Sequence, residues 1–339
     1  MGTTNRRDWI RQAAVGSVMA GLGPGAAQAQ SAQRPRAAGY RYVHLDVFTD
    51  TKLAGNQLLV YVDPDGLVPD AMARLTLESN FSENTFVFPA EQPGTDFRVR
   101  IFTRGGEVPF AGHPTIGTAF ALAHVGRLRP GTAKSTFGLG VGPTPIDLQW
   151  KDNVLAFAWM TQLKPTFGKS VADATAVASA IGLQPSDIAA SSSPAAQEVS
   201  TGSNFIVVPL ASRRAVDAAV LDRAKMDALR TADGLSGRGV YVVTTERGAD
   251  DGTSYSRLLG GSAGIEDPAT GSAAGPAGCF MVKYGLIPPD RTHSMINVQG
   301  VLVKRPSKIY IDITSTNGEI GVVKVGGTSV LVGEGTVSI

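Results

Sequence analysis

From residue 40 onward, short apolar runs alternate with turn residues, and strand-like stretches outnumber helical ones. Residues 40–48, 58–62, 85–88 and 97–102 are apolar runs of strand length. Phe97-Arg98-Val99-Arg100-Ile101 alternates with period two, as a sheet with one buried face requires. Residues 69–79 and 114–124 carry helical spacing and open on Pro69 and Pro114, a residue suited to the first helical turn. The pattern then predicts helices over 172–181, 221–232 and 268–284, and strands over 205–208, 240–244, 254–259 and 296–303, with more after Ile309. The Gly/Pro/Thr-rich stretch 138–145 and the Ser-rich stretch 191–194 read as loops. The fold class is α+β.

An internal repeat organises this pattern. His113-Pro114-Thr115-Ile116-Gly117-Thr118-Ala119 can be laid over Asp267-Pro268-Ala269-Thr270-Gly271-Ser272-Ala273, displaced by 154 residues, about half the chain beyond residue 29. Each copy follows an Arg-led apolar strand (Arg100-Ile101-Phe102 and Arg257-Leu258-Leu259) and a Gly-Gly pair. Duplication predicts two pseudo-symmetric halves, 40–163 and 164–339, around a central cleft, with the last strands returning to the first half as a variant. With Pro at the first helical position, His113 and Asp267 become the N-caps, and Ser272 puts a hydroxyl one turn in. Helix N-termini carry unpaired N–H groups and partial positive charge. Two of them aimed into one cleft make an anion site, with a carboxylate the natural small ligand. Ordinary capping stands as the alternative for Asp267.

Charge and cysteine content narrow the function classes. Lys plus Arg number 31 and Asp plus Glu 29, a net charge of +2. Arg6, Arg7, Arg11 and Asp8 fall within the first 29 residues, so the remainder is neutral and offers no basic run for nucleic acid. Cys279 is the single cysteine, which excludes an intramolecular disulfide, a multi-Cys metal cage and any two-thiol mechanism. Residues 1–29 read as a twin-arginine signal peptide. Arg6-Arg7 precede an uncharged Ala/Gly-rich stretch, and Ala27-Gln28-Ala29 is a small-x-small cleavage pattern. That stretch is too short for a membrane span and carries Pro24, so no span is expected in the mature protein. Residues 30–39 then form a polar linker. The expected location is the periplasm, with the cytoplasm as the alternative.

Glu83 is a further candidate. It precedes an apolar strand in Phe81-Ser82-Glu83-Asn84-Thr85-Phe86, where Phe81 and Phe86 would half-desolvate its carboxyl and raise its proton affinity toward neutrality. A surface Glu before a strand is the alternative. Gly260-Gly261-Ser262-Ala263-Gly264 matches the Gly-x-Ser-x-Gly of serine hydrolases, yet Ile265 to Pro268 separate Ser262 from the helix that a nucleophile elbow needs immediately. Ser272 with His113 is a second hydrolase arrangement. A non-catalytic module that binds small anions is the remaining rival, and it would not need Glu83. No phosphate loop, dinucleotide fingerprint or His-x-x-x-His helix occurs in the sequence.

The segments Asp46-Val47-Phe48, Gly55-Asn56, Ser82-Glu83-Asn84-Thr85-Phe86-Val87, Arg100-Ile101-Phe102-Thr103, Phe110-Ala111-Gly112-His113-Pro114, Glu266-Asp267-Pro268-Ala269-Thr270-Gly271-Ser272-Ala273 and Gln299-Gly300 together resemble the PhzF family of phenazine-biosynthesis-like isomerases. The resemblance runs from about Tyr40 to the C-terminus. It implies a diaminopimelate-epimerase-like fold of two halves, a homodimer, and catalysis with no cofactor and no metal. The best-understood family member moves a proton within trans-2,3-dihydro-3-hydroxyanthranilate. By the same resemblance Glu83 is the catalytic acid/base, and Gly112, His113, Asp267, Gly271 and Ser272 hold a small carboxylate substrate. Gln57, Arg104 and Leu258-Leu259-Gly260 depart from the family pattern and bear on specificity. Epimerases of this fold use two thiols, which the lone Cys279 rules out.

The leader reading is open to a direct test. Replacing Arg6 and Arg7 with Lys in a reporter fusion should hold the reporter in the cytoplasm; unchanged export, or a mature protein that keeps Met1, contradicts it.

Overall fold

The computed structural model describes residues 39–189, 194–237, 239–260, 266–316 and 319–339. The stretch read as a signal peptide (1–29), nearly all of that read as a linker (30–39), most of the Ser-rich stretch and Ser262 lie outside the described residues. The chain builds β1 (Tyr40–Val47), β2 (Asn56–Val62), α1 (Pro69–Ser79), β3 (Glu83–Pro89), β4 (Phe97–Thr103), β5 (Gly106–Val108), α2 (Gly112–His124), β6 (Lys134–Leu139), β7 (Gly142–Lys151) and β8 (Val154–Thr161). There follow β9 (Thr166–Val171), α3 (Ala174–Ala180), β10 (Ala196–Ser200), β11 (Asn204–Pro209), α4 (Arg213–Ala218), α5 (Arg223–Asp233), β12 (Val240–Thr244), β13 (Ser254–Leu259), α6 (Gly271–Lys283), β14 (Met295–Gln299), β15 (Ser307–Thr316), β16 (Glu319–Gly327) and β17 (Ser329–Val337).

Strand pairing makes the duplication explicit. In the order β17-β1-β2-β3-β4-β6-β7-β8, successive neighbours are antiparallel, antiparallel, parallel, antiparallel, parallel, antiparallel and antiparallel. The order β9-β10-β11-β12-β13-β14-β15-β16 repeats the same series. The equivalent strands β8 and β16 pair antiparallel, Met160 opposite Val325, and join the two sheets. Each half takes its first strand in this order from the other's end of the chain: β9 leaves the first half and β17 returns to it. The halves are not separate bodies, because one core cluster takes in Ile116, Ala119, Ala158, Ala273, Ala277 and Val325 from both.

Each half wraps its sheet around one helix, α2 against β1, β2 and β8, and α6 against β10, β11, β15 and β16. Both helices are apolar or small all round, as central helices must be. Gly112 through Leu122 and Gly271 through Met281 are buried. Their equivalence differs from the displacement predicted above. Both end in the same bonds, Gly126 N to Ala123 O and Leu128 N to Leu122 O in one, Gly285 N to Val282 O and Ile287 N to Met281 O in the other. That registers Gly112 with Gly271 and His113 with Ser272, a displacement of 159 residues. The apparent match of His113 with Asp267 was a coincidence of Gly, Thr and Ala. Gly126-x-Leu128-x-Pro130 and Gly285-x-Ile287-x-Pro289 carry the real one.

Other boundaries differ for local reasons. Residues 138–145 are mostly strand, since β8 covers β7 only from Ile146 onward and leaves Pro143 and Pro145 where no second partner needs their N–H. The strand predicted to 303 stops at Gln299, because Gly300 turns left-handed (φ 79) where a Cβ would stand 2.3 Å from the Arg305 carbonyl oxygen. Strands β5 to β10 and helix α4 were not foreseen.

The two central helices meet end to end. A Cβ on Gly112 would lie 2.5 Å from the Gly271 carbonyl carbon and from the Ser272 nitrogen. Because Gly112 and Gly271 are equivalent residues in contact, the approximate twofold axis passes between them. Gly112→Ala would gain roughly 0.5–1 kcal/mol of helix propensity but must force two backbones apart. The clash dominates, and urea denaturation should show a net loss of about 2 kcal/mol or more.

Candidate functional site

The site is assembled where both helix starts meet strand ends of the first half. Its base is the 49–55 loop. Asp46, 1% exposed, pairs with Arg305 at 2.5 Å, and Arg305 also donates to the carbonyls of Gly55 (2.7 Å) and Ala54 (2.8 Å). Gly55, at φ 65, could not carry a Cβ, which would fall 2.4 Å from the Val47 carbonyl oxygen. This clamp fixes Asn56, buried at the start of β2. The Asn56 amide nitrogen lies 3.1 Å from His113 Nδ1, 2.7 Å from Asp267 Oδ1 and 2.9 Å from the Ala269 carbonyl oxygen. Asn56 was read only as part of a family motif; its role as the junction of both halves depends on contacts no local pattern reports.

Glu83 opens β3, with Leu58 of β2 on one side and Thr103 of β4 on the other. Its Oε2 lies 3.7 Å from His113 Nδ1 and accepts no hydrogen bond among the described residues. Burial, then the Asp267 charge, holds the Glu83 carboxyl well above the usual carboxylate range, with Arg104 acting in the opposite sense. Phe86 does not take part as predicted. Period two sends it to the other face of the sheet, where it stacks on Tyr61 at 4.8 Å. Phe81 packs on His44, while Phe110 and Ala111 line the space beside Glu83.

His113 is not the N-cap of α2 but its second residue; Ala111 caps without a side-chain bond. It is 3% exposed, and burial pushes its pKa down to about 3, partly offset by the Gln57 backbone. The ring is therefore neutral, and facing the Asn56 amide nitrogen makes Nδ1 its acceptor. Asp267 is likewise no cap: α6 begins later, with Thr270 in that position. The Asp267 carboxylate accepts from Asn56 (2.7 Å) and Ser82 (2.9 Å) on Oδ1 and from Thr270 (2.6 Å) on Oδ2. Burial still raises its pKa, against the pull of those three donors. Glu83, His113 and Asp267 bring one ligand-type atom each within 4.8 Å of one another, a cation's reach. The Asn56 amide nitrogen already bridges His113 and Asp267, so the donor set favours hydrogen bonding over a cation.

These groups border a pocket of about 150 Å³ lined by Ser82, Glu83, Arg104, Asp267, Thr270 and Ser272, with Phe110, Phe205 and Leu258 as apolar wall. Both N-cap residues, Ala111 and Thr270, face it, and neither helix has a side-chain cap. Of the predicted site residues, Glu83, Asp267 and Ser272 line this pocket, while His113, Gly112 and Gly271 sit directly behind it. Arg104 donates to Asn80 at 3.0 Å. Arg100 and Arg257, the strand-leading arginines, hold Glu107 and Glu266 through paired bonds of 2.6–2.9 Å, clamping the segments that lead into α2 and α6.

Fold and pocket define a duplicated α+β protein with an acidic cleft at the starts of its two central helices. Over residues 45–335 the chain matches the PhzC-PhzF family, phenazine biosynthesis-like protein. It is 33% identical over 301 residues to an uncharacterized isomerase of Mesorhizobium japonicum, covering 88% of this chain and 98% of that one. It is also 33% identical over 301 residues to the trans-2,3-dihydro-3-hydroxyanthranilate isomerase of Pseudomonas aeruginosa, covering 87% and 98%. A solved PhzF-family phenazine biosynthesis protein of Bacillus anthracis superposes with a TM-score of 0.76 at 27% identity, over 89% of this chain and 99% of that one. The chain belongs to the PhzF family.

The shifted acids make stability depend on pH in opposite directions. Glu83 binds its proton more tightly folded than unfolded, so it costs stability as pH rises from about 4 through its raised value. Glu83→Gln should therefore gain stability over the parent between pH 4.5 and 8. His113 resists the proton the unfolded chain takes up, so stability falls as pH drops from about 6.5 to about 3, by on the order of a few kcal/mol. His113→Gln should flatten that acid limb. Urea midpoints across pH 4–8 measure both; parallel curves would contradict the assignment.

Proposed function

We propose that this protein is a cofactor-independent isomerase that moves a proton between carbons of a small carboxylate-bearing substrate, with Glu83 as the one acid/base. The observation that carries the reading is the asymmetry of the pocket. Among the described residues Glu83 Oε2 stands buried there without a hydrogen-bond donor, whereas the equivalent strand of the second half opens with Val240, which has no titratable side chain. A proton is therefore taken and returned from one side. The chemistry requires a carboxyl with similar affinity for the proton before and after transfer, and desolvation beside Asp267 supplies it. The substrate carboxylate lies at the uncapped starts of α2 and α6, where N–H groups and helix dipoles favour an anion. Ser272 donates to the substrate, Asp267 accepts from an amino or hydroxyl group, and the neutral His113 ring packs behind Glu83.

The relatives named as trans-2,3-dihydro-3-hydroxyanthranilate isomerases make that compound the first to test. Arg104, Leu258 and Gly260, where this chain departs from the family pattern, all border the pocket, which favours a different carboxylate of similar size. The export signal supports a periplasmic site of action, and family likeness supports a homodimer. A binding module without turnover would not need the donor-free carboxyl.

A panel of unsaturated and dihydroaromatic carboxylates in heavy water tests the reading. Deuterium should enter the substrate with the parent protein, and Glu83→Gln should lower exchange at least about a hundredfold while binding persists. Near-parent exchange by Glu83→Gln would move the role to His113.

A further inference from the structure

Behind the pocket runs a buried polar chain that the proton-transfer reading does not use. Gln299, 0% exposed at the end of β14, grips the turn before α6 with both ends of its amide. Its Oε1 accepts from the Thr270 backbone nitrogen at 3.0 Å, and its Nε2 donates to the Asp267 carbonyl oxygen at 2.8 Å. A backbone nitrogen can only donate and a carbonyl can only accept, so this amide has one possible orientation. Its Nε2 also donates to Thr270 Oγ1 at 3.0 Å. Thr270 Oγ1 therefore accepts there and gives its single proton to Asp267 Oδ2, 2.6 Å away. Tyr241, fully buried on β12, donates to Gln299 Oε1 at 2.9 Å and is held by Asn297 at 3.0 Å and Ser256 at 2.7 Å. Asn297 in turn accepts from Ser254 at 2.9 Å.

We propose that Gln299, braced by Tyr241, is a positioning residue that fixes the direction of this chain, so that Asp267 is the accepting carboxylate and Glu83 is the carboxyl that carries the exchangeable proton. The inference rests on the proton-transfer reading and explains how two acids in one pocket are kept in different roles. Asp267 receives three donors, from Thr270, Ser82 and Asn56. The charged or titratable groups facing Asp267 are Glu83, neutral His113, Tyr241 and Glu266, the last paired with Arg257. Those facing Glu83 are Asp267, Arg104 and neutral His113. Without the Thr270 proton, Asp267 would take one from solvent, its charge would vanish, and Glu83 would release its proton at lower pH.

Carboxyl infrared difference spectra over a pH titration of the substrate-free protein test this without knowledge of the substrate. The parent should show a protonated carboxyl at neutral pH that disappears in Glu83→Gln; in Asp267→Asn, which lacks the neighbouring charge, the same band should titrate at lower pH. Thr270→Val and Gln299→Met should lower its titration midpoint by about one pH unit or more, while Thr270→Ser, which keeps the hydroxyl, restores the parent value. Tyr241→Phe should move it in the same direction by less. A midpoint unmoved in a folded Thr270→Val variant, or a protonated band at neutral pH that survives Glu83→Gln, overturns the proposal. Deuterium exchange by the same variants tests the isomerase reading separately, since the spectra report the carboxyls whether or not a substrate turns over.

Discussion

Two central helices abut through bare backbone at Gly112 and Gly271, and most of the molecule is arranged around that contact. A side chain at either position would separate the halves, since the would-be Cβ of Gly271 also stands 2.8 Å from the Phe48 ring. The close approach places both uncapped helix starts at one spot, and their unpaired N–H groups and dipoles add there instead of facing solvent separately. Full burial of α2 and α6 follows, because each must reach the axis through the centre of its own sheet. The crossing of β9 and β17 between halves and the β8–β16 pair hold that geometry by hydrogen bonds on the flank of the same axis.

On this nearly symmetric frame the chemistry is one-sided. Helix position two is His113 in one half and Ser272 in the other, and the strand beside the pocket opens with Glu83 in one and Val240 in the other. Burying two carboxyls and an imidazole in one place is costly unless each is partnered or neutral. The three find different solutions. Asp267 collects three donors, His113 gives up its charge, and Glu83, whose Oε2 meets no donor among the described residues, holds its proton tightly. The Arg305–Asp46 pair and the Asn56 amide carry no reaction step, yet they set the distances on which this division depends.

Several features were readable in the chain because they are local. Helix α1 falls where its spacing and Pro69 put it, and strands β12 and β13 fall where apolar runs bounded by turn residues predicted them. Glu83 was legible as a carboxyl before an apolar strand, but the cause of its desolvation was misread, because Phe86 lies an odd number of residues away and faces α1. Strands β9 and β10 escaped notice: β9 is short and largely exposed, and β10, Ala-Gln-Glu-Val-Ser, carries little of a strand's usual β-branched and aromatic bias.

The sequence by itself determined the α+β class, the duplication, the absence of a second thiol and the set of polar residues available for chemistry, since composition, period and residue inventory do not depend on distant contacts. Tertiary structure alone decided the register of the duplication, which residues cap α2 and α6, and which acid keeps its proton. Those outcomes are set by groups more than a hundred residues apart, such as Asn56 with Asp267 and Gln162 with Gly271. A hydrogen-bond donor lowers or a neighbouring charge raises a carboxyl's proton affinity only when folding brings it within a few ångströms, and no spacing along the chain encodes that distance.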